Sequence, residues 1–301
     1  MLSSLNPSSQ QFLDNLNKIG DRMRGAQERI STGTKIRQVS DEPDSVSRLL
    51  QARASLSSAE QINTNLGRVR TEVDAAEQAL QSAVLLFEKV QTLGAQGHTD
   101  IQTAGGRNAL AQEIDSILQQ FAGLAGTAVE GRFIFSGDTD QQVPYTYTAG
   151  QATPLSAYLG ATSTRLAQHP NGTTFSVSHT AQDIFDSTDP AKNVFSSIQS
   201  LAAALRANST PAIATAVTSL AAVSEHLNGE LASYGSTQNK ITAATDFGKT
   251  LETQLRTQIA SLEDADLTEA ILELTQSQTQ QQAALQSRAL LPRTTLFDFL
   301  R

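Results

Sequence analysis

Side chains able to do covalent or ligating chemistry are few and scattered in this chain. It has four histidines and no cysteine, which excludes a thiolate zinc site, a disulfide framework and a thiol nucleophile. His98, His169, His179 and His226 lie far apart, and no two of them have the spacing of a zinc helix, so they read as exposed or locally hydrogen-bonded. "EDADLTE" offers Asp264, Asp266 and Glu269 to a calcium ion, but it lacks the loop length and central glycine of an EF-hand and reads better as a helix start. "TAGGRN" has neither a preceding strand nor the Lys-Ser/Thr pair of a phosphate loop. The glycosylation patterns at Asn171 and Asn208 are short enough to arise by chance. No Ser-His-Asp order, paired-carboxylate pocket or nucleophile elbow is present, so no catalytic, cofactor or metal site is expected. What remains is adhesive chemistry. The C-terminal "TTLFDFLR" gathers Leu296, Phe297, Phe299 and Leu300, and the N-terminal segment carries Leu2, Leu5 and Phe12. Chain ends are ordinarily solvated. These ends either bury each other or are buried by something outside the chain.

The elements that carry them are helical by period. Phe12, Leu16, Ile19, Met23, Ala26 and Ile30 are spaced 4, 3, 4, 3, 4, which is a coiled-coil seam. Gly33 supplies a residue able to take the positive φ that ends a helix, and Asp41, Glu42 and Pro43 mark the next start. From Ala59 to Val90 a second seam runs through Ile62, Leu66, Val69, Val73, Leu80 and Phe87, in a helix expected from about Pro43 to Thr103. At 1.5 Å per residue such a helix measures ~90 Å. "TAGGRN" is expected to break it, and a further helix carries Leu110, Ile114, Ile117, Leu118 and Phe121.

The pattern changes at "GRFIFSG", where Phe133, Ile134 and Phe135 are β-prone. The Thr/Ser/Gly/Pro-rich stretch from Asp138 to Asp189 reads as a small β-rich insertion, with a hairpin turning at Pro170, Asn171 and Gly172. Helix returns with Asp189 as expected N-cap and Pro190 at the first position. Thr210 and Pro211 open a second long helix, and Asp266 with Glu269 forms a capping-box-like restart. The last helix carries Ile271, Leu274 and Leu285 around the polar run "TQSQTQQQAA".

The expected fold is therefore mainly α: an elongated antiparallel helical bundle or coiled coil formed by N- and C-terminal arms, with a small β-rich inserted domain. Residues 1–42 and 265–301 would be terminal assembly helices, 43–137 and 190–264 a helical rod, and 138–189 an outer insertion. The first helix alone offers too little apolar surface to offset the entropy of ordering it, so the terminal pair should be marginal without further burial.

Composition narrows the partners. A net charge of −8 with pI near 5.0 argues against a nucleic-acid binder and against docking on anionic lipid. No apolar run approaches the length of a membrane span, and the first twenty residues lack the basic and apolar regions of a cleaved signal. Aromatics make up only 5 %, which favours thin helix-to-helix packing over one thick core.

Three stretches resemble the bacterial flagellin family. "ERISTGTKIRQVSDEPDSVSRLL", residues 28–50, is similar to the family's N-terminal signature through Gly33, Asp41, Glu42 and Pro43. "EGRFIFSGDTD" resembles its hook–filament junction (hook-associated protein 3) branch through Gly131, Arg132, Phe133, Ile134, Phe135, Ser136 and Gly137. The C-terminal arm from Leu274 to Arg301 resembles the same branch, as does "LASYGSTQNKI" through Gly235 and Asn239. The resemblance implies helical arms with a β-rich outer domain, flagellar type III export without a cleaved peptide, and a cytoplasmic export chaperone. It implies assembly with itself, with other hook-associated proteins and with flagellin, at the hook–filament junction. The expected function is a structural flagellar subunit and not an enzyme, joining hook to filament by polymerisation of its terminal helices. A filament flagellin is the nearest alternative, and a secreted coiled-coil interaction protein the next. The residues expected to mediate assembly are Phe12, Leu16, Ile19, Met23, Ile30, Ile271, Leu274, Leu285, Leu296, Phe297, Phe299 and Leu300.

Overall fold

The computed structural model describes residues 7–36, 42–151 and 153–289. Helices dominate: α1 (Pro7–Thr32), α2 (Pro43–His98), α3 (Ala104–Ala125), α4 (Ala181–Phe185), α5 (Val194–Arg206), α6 (Thr210–Glu263) and α7 (Leu267–Ala289). Four short strands lie between α3 and α4: β1 (Ala128–Val129), β2 (Arg132–Phe133), β3 (Leu166–Gln168) and β4 (Thr174–Ser176). They form two antiparallel pairs, β1 with β2 and β3 with β4. The chain divides into two compact units, one of residues 1–57 with 252–301 and one of residues 58–251.

The central unit is built on the antiparallel pairing of α2 with α6. Gln91 donates to the Leu220 carbonyl at 3.4 Å, Gln238 donates to Asp74 at 2.9 Å and to Glu77, and Gly248 leaves room for the Asn63 side chain. The α2 seam buries Leu66, Val73, Leu80, Phe87 and Val90, as its spacing predicts. Helices α3 and α5 pack on each other and complete this core. Few as the aromatics are, they are concentrated here. Phe87, Phe121, Phe185, Phe135 and Tyr234 meet edge to face in succession, with ring centroids 6.1 to 6.4 Å apart. The low aromatic content thus supplies one dense centre, not a uniformly thin interface.

Several boundaries differ from the expected ones for local reasons. Helix α2 stops at His98, and α3 starts at Ala104, so both glycines of "TAGGRN" lie inside its first turn. Thr103 is the N-cap, its hydroxyl accepting from the Gly106 amide at 3.1 Å. Buried Arg107 then spans the corner, donating to the Gly97 and Thr99 carbonyls and to Asn208. Helix α5 starts at Val194, not after Asp189: Asp189 closes a turn by accepting from the Ala191 amide at 3.0 Å, and Asn193 caps the helix through the Ser196 amide at 2.8 Å. The starts at Pro43 and Thr210 agree with the sequence.

Among the described residues of the insertion, regular strand is confined to β3, β4 and a bridge between Tyr147 and Leu155. The β3–β4 hairpin turns at Pro170–Gly172 as predicted, with Gly172 at φ +93°. Its inner face is Ala167, and Val177 beyond β4 is buried as well.

Candidate functional site

The described residues expected to mediate assembly lie in the terminal unit. Helix α1 ends on Gly33, at φ +72°, whose amide returns to the Arg29 carbonyl at 2.9 Å. The chain then runs extended for two residues beside the turn between α6 and α7. Lys35 N–H donates to the Glu263 carbonyl at 2.7 Å, and Ala265 N–H donates to the Gly33 carbonyl at 2.8 Å. The Ser-Thr-Gly stretch thus ties two interhelical turns together. Glu42 precedes α2, and its carbonyl accepts from Ser45 and Val46. A side-chain hydrogen bond from Ser45, with Lys35 3.5 Å away, holds the Glu42 carboxyl below the usual carboxylate range. Asp266 caps α7, accepting from the Thr268 amide at 2.8 Å and the Glu269 amide at 3.1 Å.

Helices α1 and α7 pack antiparallel. Arg29 pairs with Glu273 near one end of the contact, and Arg288 donates to Ser9 and lies 5.5 Å over the Phe12 ring near the other. The face that α7 turns inward is small and polar. Ala270 and Ser277 are buried, and Glu273, Leu274, Gln281 and Ala284 are half-buried, at 4- and 3-residue steps. Leu274 apart, its large apolar residues point away: Ile271 is 54 % exposed, Leu272 59 % and Leu285 51 %. Across the unit, the buried apolar side chains among the described residues are Ala26, Ile36, Leu49, Ala52, Leu255 and Ala270. Half of these are alanine, and none is aromatic.

The expected assembly residues therefore divide. Phe12, Leu16, Ile19, Met23 and Ile30 are half-buried along α1. Leu274 is the one α7 residue of the expected set on the inward face, whereas Ile271 and Leu285 lie outside it. Leu296, Phe297, Phe299, Leu300 and Asp41 lie outside the described residues. Leu13, Leu50 and Leu267 are exposed apolar residues of the same unit that heptad counting passes over, since each falls off the seam.

The second signature stretch belongs to the central unit. Glu130 and Gly131 form the two-residue turn of the β1–β2 hairpin, with φ of +52° and +78°, as a type I′ turn requires. Arg132 pairs with Glu72 of α2, and Asp140 lies 3.6 Å away. Arg165, from the segment before β3, joins the same two carboxylates at 2.7 and 3.2 Å. Ile134 and Phe135 enter the core, and the Ser136 hydroxyl donates to the Gln142 carbonyl at 2.8 Å. Gly137 has φ +62°, and a Cβ there would come within 2.7 Å of the Ser163 carbonyl oxygen and closer still to that of Ala161. This stretch is a structural clamp between α2, a hairpin and the insertion. Sequence reading missed Glu72, Asp140 and Arg165, because three chain-distant residues leave no common pattern.

Among the described residues, no group of three or more His, Cys, Asp or Glu side chains could hold a metal ion, and no helix is long and apolar enough to cross a membrane. The described helices α1 and α7 pack together in one unit, helices are capped and cross-tied at their turns, and several large apolar side chains face outward. These define a mainly helical protein organised by helix pairing. The description of the bacterial flagellin N-terminal helical region matches residues 4–140, and that of the C-terminal helical region matches residues 213–300. The chain belongs to the bacterial flagellin family.

Solved structures share the fold. A putative flagellar hook-associated protein from Vibrio parahaemolyticus aligns over 74 % of this chain and 100 % of its own, at TM-score 0.64 and 18 % identity. Flagellar hook-associated protein 3 from Legionella pneumophila aligns over 70 % and 98 %, at 0.61 and 12 %. FlgL from Bacillus cereus aligns over 72 % and 99 %, at 0.54 and 21 %. No curated protein matches the chain by sequence.

Proposed function

We propose that this flagellin-family chain is the subunit of the hook–filament junction, polymerising through its terminal helices and so joining two differently built segments of one tube. In this reading residues 1–42 and 265–301 are the assembly helices, 43–137 and 190–264 the helical body, and 138–189 the outer insertion. The observation that carries it is the face of α7: the small residues pack inward, while Ile271, Leu272 and Leu285 are left for a neighbour. The solved relatives described as hook-associated or junction proteins support the junction over the filament. The partners are further copies of the chain, the adjoining hook-associated proteins and flagellin, with a chaperone holding the chain before export. It works by adhesion and does no covalent chemistry.

Deleting the gene tests the reading. Cells should then build hooks without filaments and release unpolymerised flagellin. The purified chain should stop at short assemblies; long tubes formed by this chain alone would make it a filament flagellin, and unimpaired motility on deletion would remove a flagellar role. Replacing Ile271 and Leu285 with Asp should leave the folded monomer intact, because both side chains are outside its core, yet fail to restore filaments.

A further inference from the structure

In the central unit, the segment linking β4 to α4 is fastened to α6 by titratable groups. His179 lies in that segment, and its Nδ1 is 2.6 Å from Glu230 Oε2 on α6. One helical turn earlier on α6, His226 places Nδ1 4.0 Å from Glu230 Oε1. The other ring nitrogen of His226 donates to the carbonyls of Asp183 and Ile184, both at 3.2 Å. These carbonyls belong to the last turn of α4 and have no partner further along so short a helix. His226 therefore caps α4 from α6 through a ring N–H. The His179 amide donates to the Tyr234 hydroxyl at 3.1 Å, a second tie to the same face.

We propose that His179 and Glu230, beside the His226 cap, form a proton-operated clasp, in which the Glu230 carboxylate holds the insertion's exit onto α6 while the His179 imidazole is protonated. Glu230 and His226 have side chains only 16 % and 12 % exposed, so the carboxylate is poorly screened and responds to the charge opposite it. Asp183 of α4 also acts on His179, and Tyr234 of α6 lies against its ring, the centroids 5.7 Å apart. The hydrogen bond that the His179 ring donates to Glu230 is the largest influence on His179 and raises its pKa above the ordinary histidine value, against the opposing effect of burial. The sign follows. The clasp is complete below the ordinary histidine range and opens as pH rises through the raised value, when His179 becomes neutral and Glu230 loses its counter-charge.

A titration of the full chain by nuclear magnetic resonance, with hydrogen exchange corrected for intrinsic rates, tests this. His179 should titrate above the ordinary histidine value of ~6.5. Local opening of residues 177–186 should rise about two- to fivefold between about pH 6 and about pH 9, the scale of a partly exposed ion pair. Glu230→Gln should lower the His179 titration and flatten the opening profile. His179→Asn, which leaves α6 untouched, should flatten the profile alone. A wild-type His179 that titrates at or below the ordinary value, or an opening profile that survives in either variant, overturns the clasp.

Discussion

Gly137 shows how one residue type can be compelled by its surroundings. Its φ of +62° is in the left-handed region, and two carbonyl oxygens occupy the space a side chain would need. Gly137→Ala should therefore destabilise the central unit by about 1–3 kcal/mol, read as a lower urea midpoint. The tyrosines make a second residue-scale prediction. Burial pushes Tyr158 up to about 12, and burial with Asp186 nearby pushes Tyr145 higher. Burial does the same to Tyr234. A raised phenol contributes stability that is whole below the ordinary tyrosine pKa of ~10 and declines as pH rises through the folded value. Ultraviolet titration should accordingly show these phenolates appearing late and together with alkaline unfolding. Reversible ionisation of all four tyrosines near the ordinary value, in folded protein, would contradict it. At this scale the sequence revealed Gly33 as a helix end, since glycine's freedom is a local property, whereas Gly131 stood out only through the family resemblance. It did not reveal that Arg132 needs Glu72, because that contact depends on α2 and β2 meeting.

Among the elements, the helix starts at Pro43 and Thr210 and the Asp266 cap of α7 were legible, since each signal is local to the start of its own helix. The start of α5 was not, because Asp189 and Pro190 are equally good turn formers and Asn193 wins only through its contacts with Asp186 and Ser187. The seam of α1 was legible as a period. The inward face of α7 was not, because Ala270, Ser277, Gln281 and Ala284 carry the heptad in small and polar residues, whereas hydrophobic counting follows Ile271 and Leu285. That arrangement predicts a tight but weak pair. Ser277 is only 2 % exposed, so Ser277→Leu should overfill the α1–α7 contact at a cost of about 1–3 kcal/mol. Hydrogen exchange should show α1 and α7 loosened while α3 and α5 keep their protection. Equal loosening of both pairs would mean that the contact is not local.

At the scale of the whole molecule, the two units differ in kind. The central one has an aromatic-centred core with Phe87, Phe121, Phe135 and Phe185 fully buried. Among the described residues, the terminal one holds few large buried side chains and displays Leu13, Leu50, Ile271, Leu272 and Leu285. A domain stabilised mainly by burial cannot draw much from so thin an interior. In the proposed function, contacts with neighbouring subunits complete the terminal unit. Hydrogen exchange of α1 and α7 in the dilute chain, and again after addition to hook fragments and flagellin, tests this. Exchange should be rapid in the dilute chain and strongly slowed after assembly, with α3 and α5 protected throughout. Termini already as protected as α3 and α5 in the dilute monomer, and unchanged by flagellar partners, would contradict it.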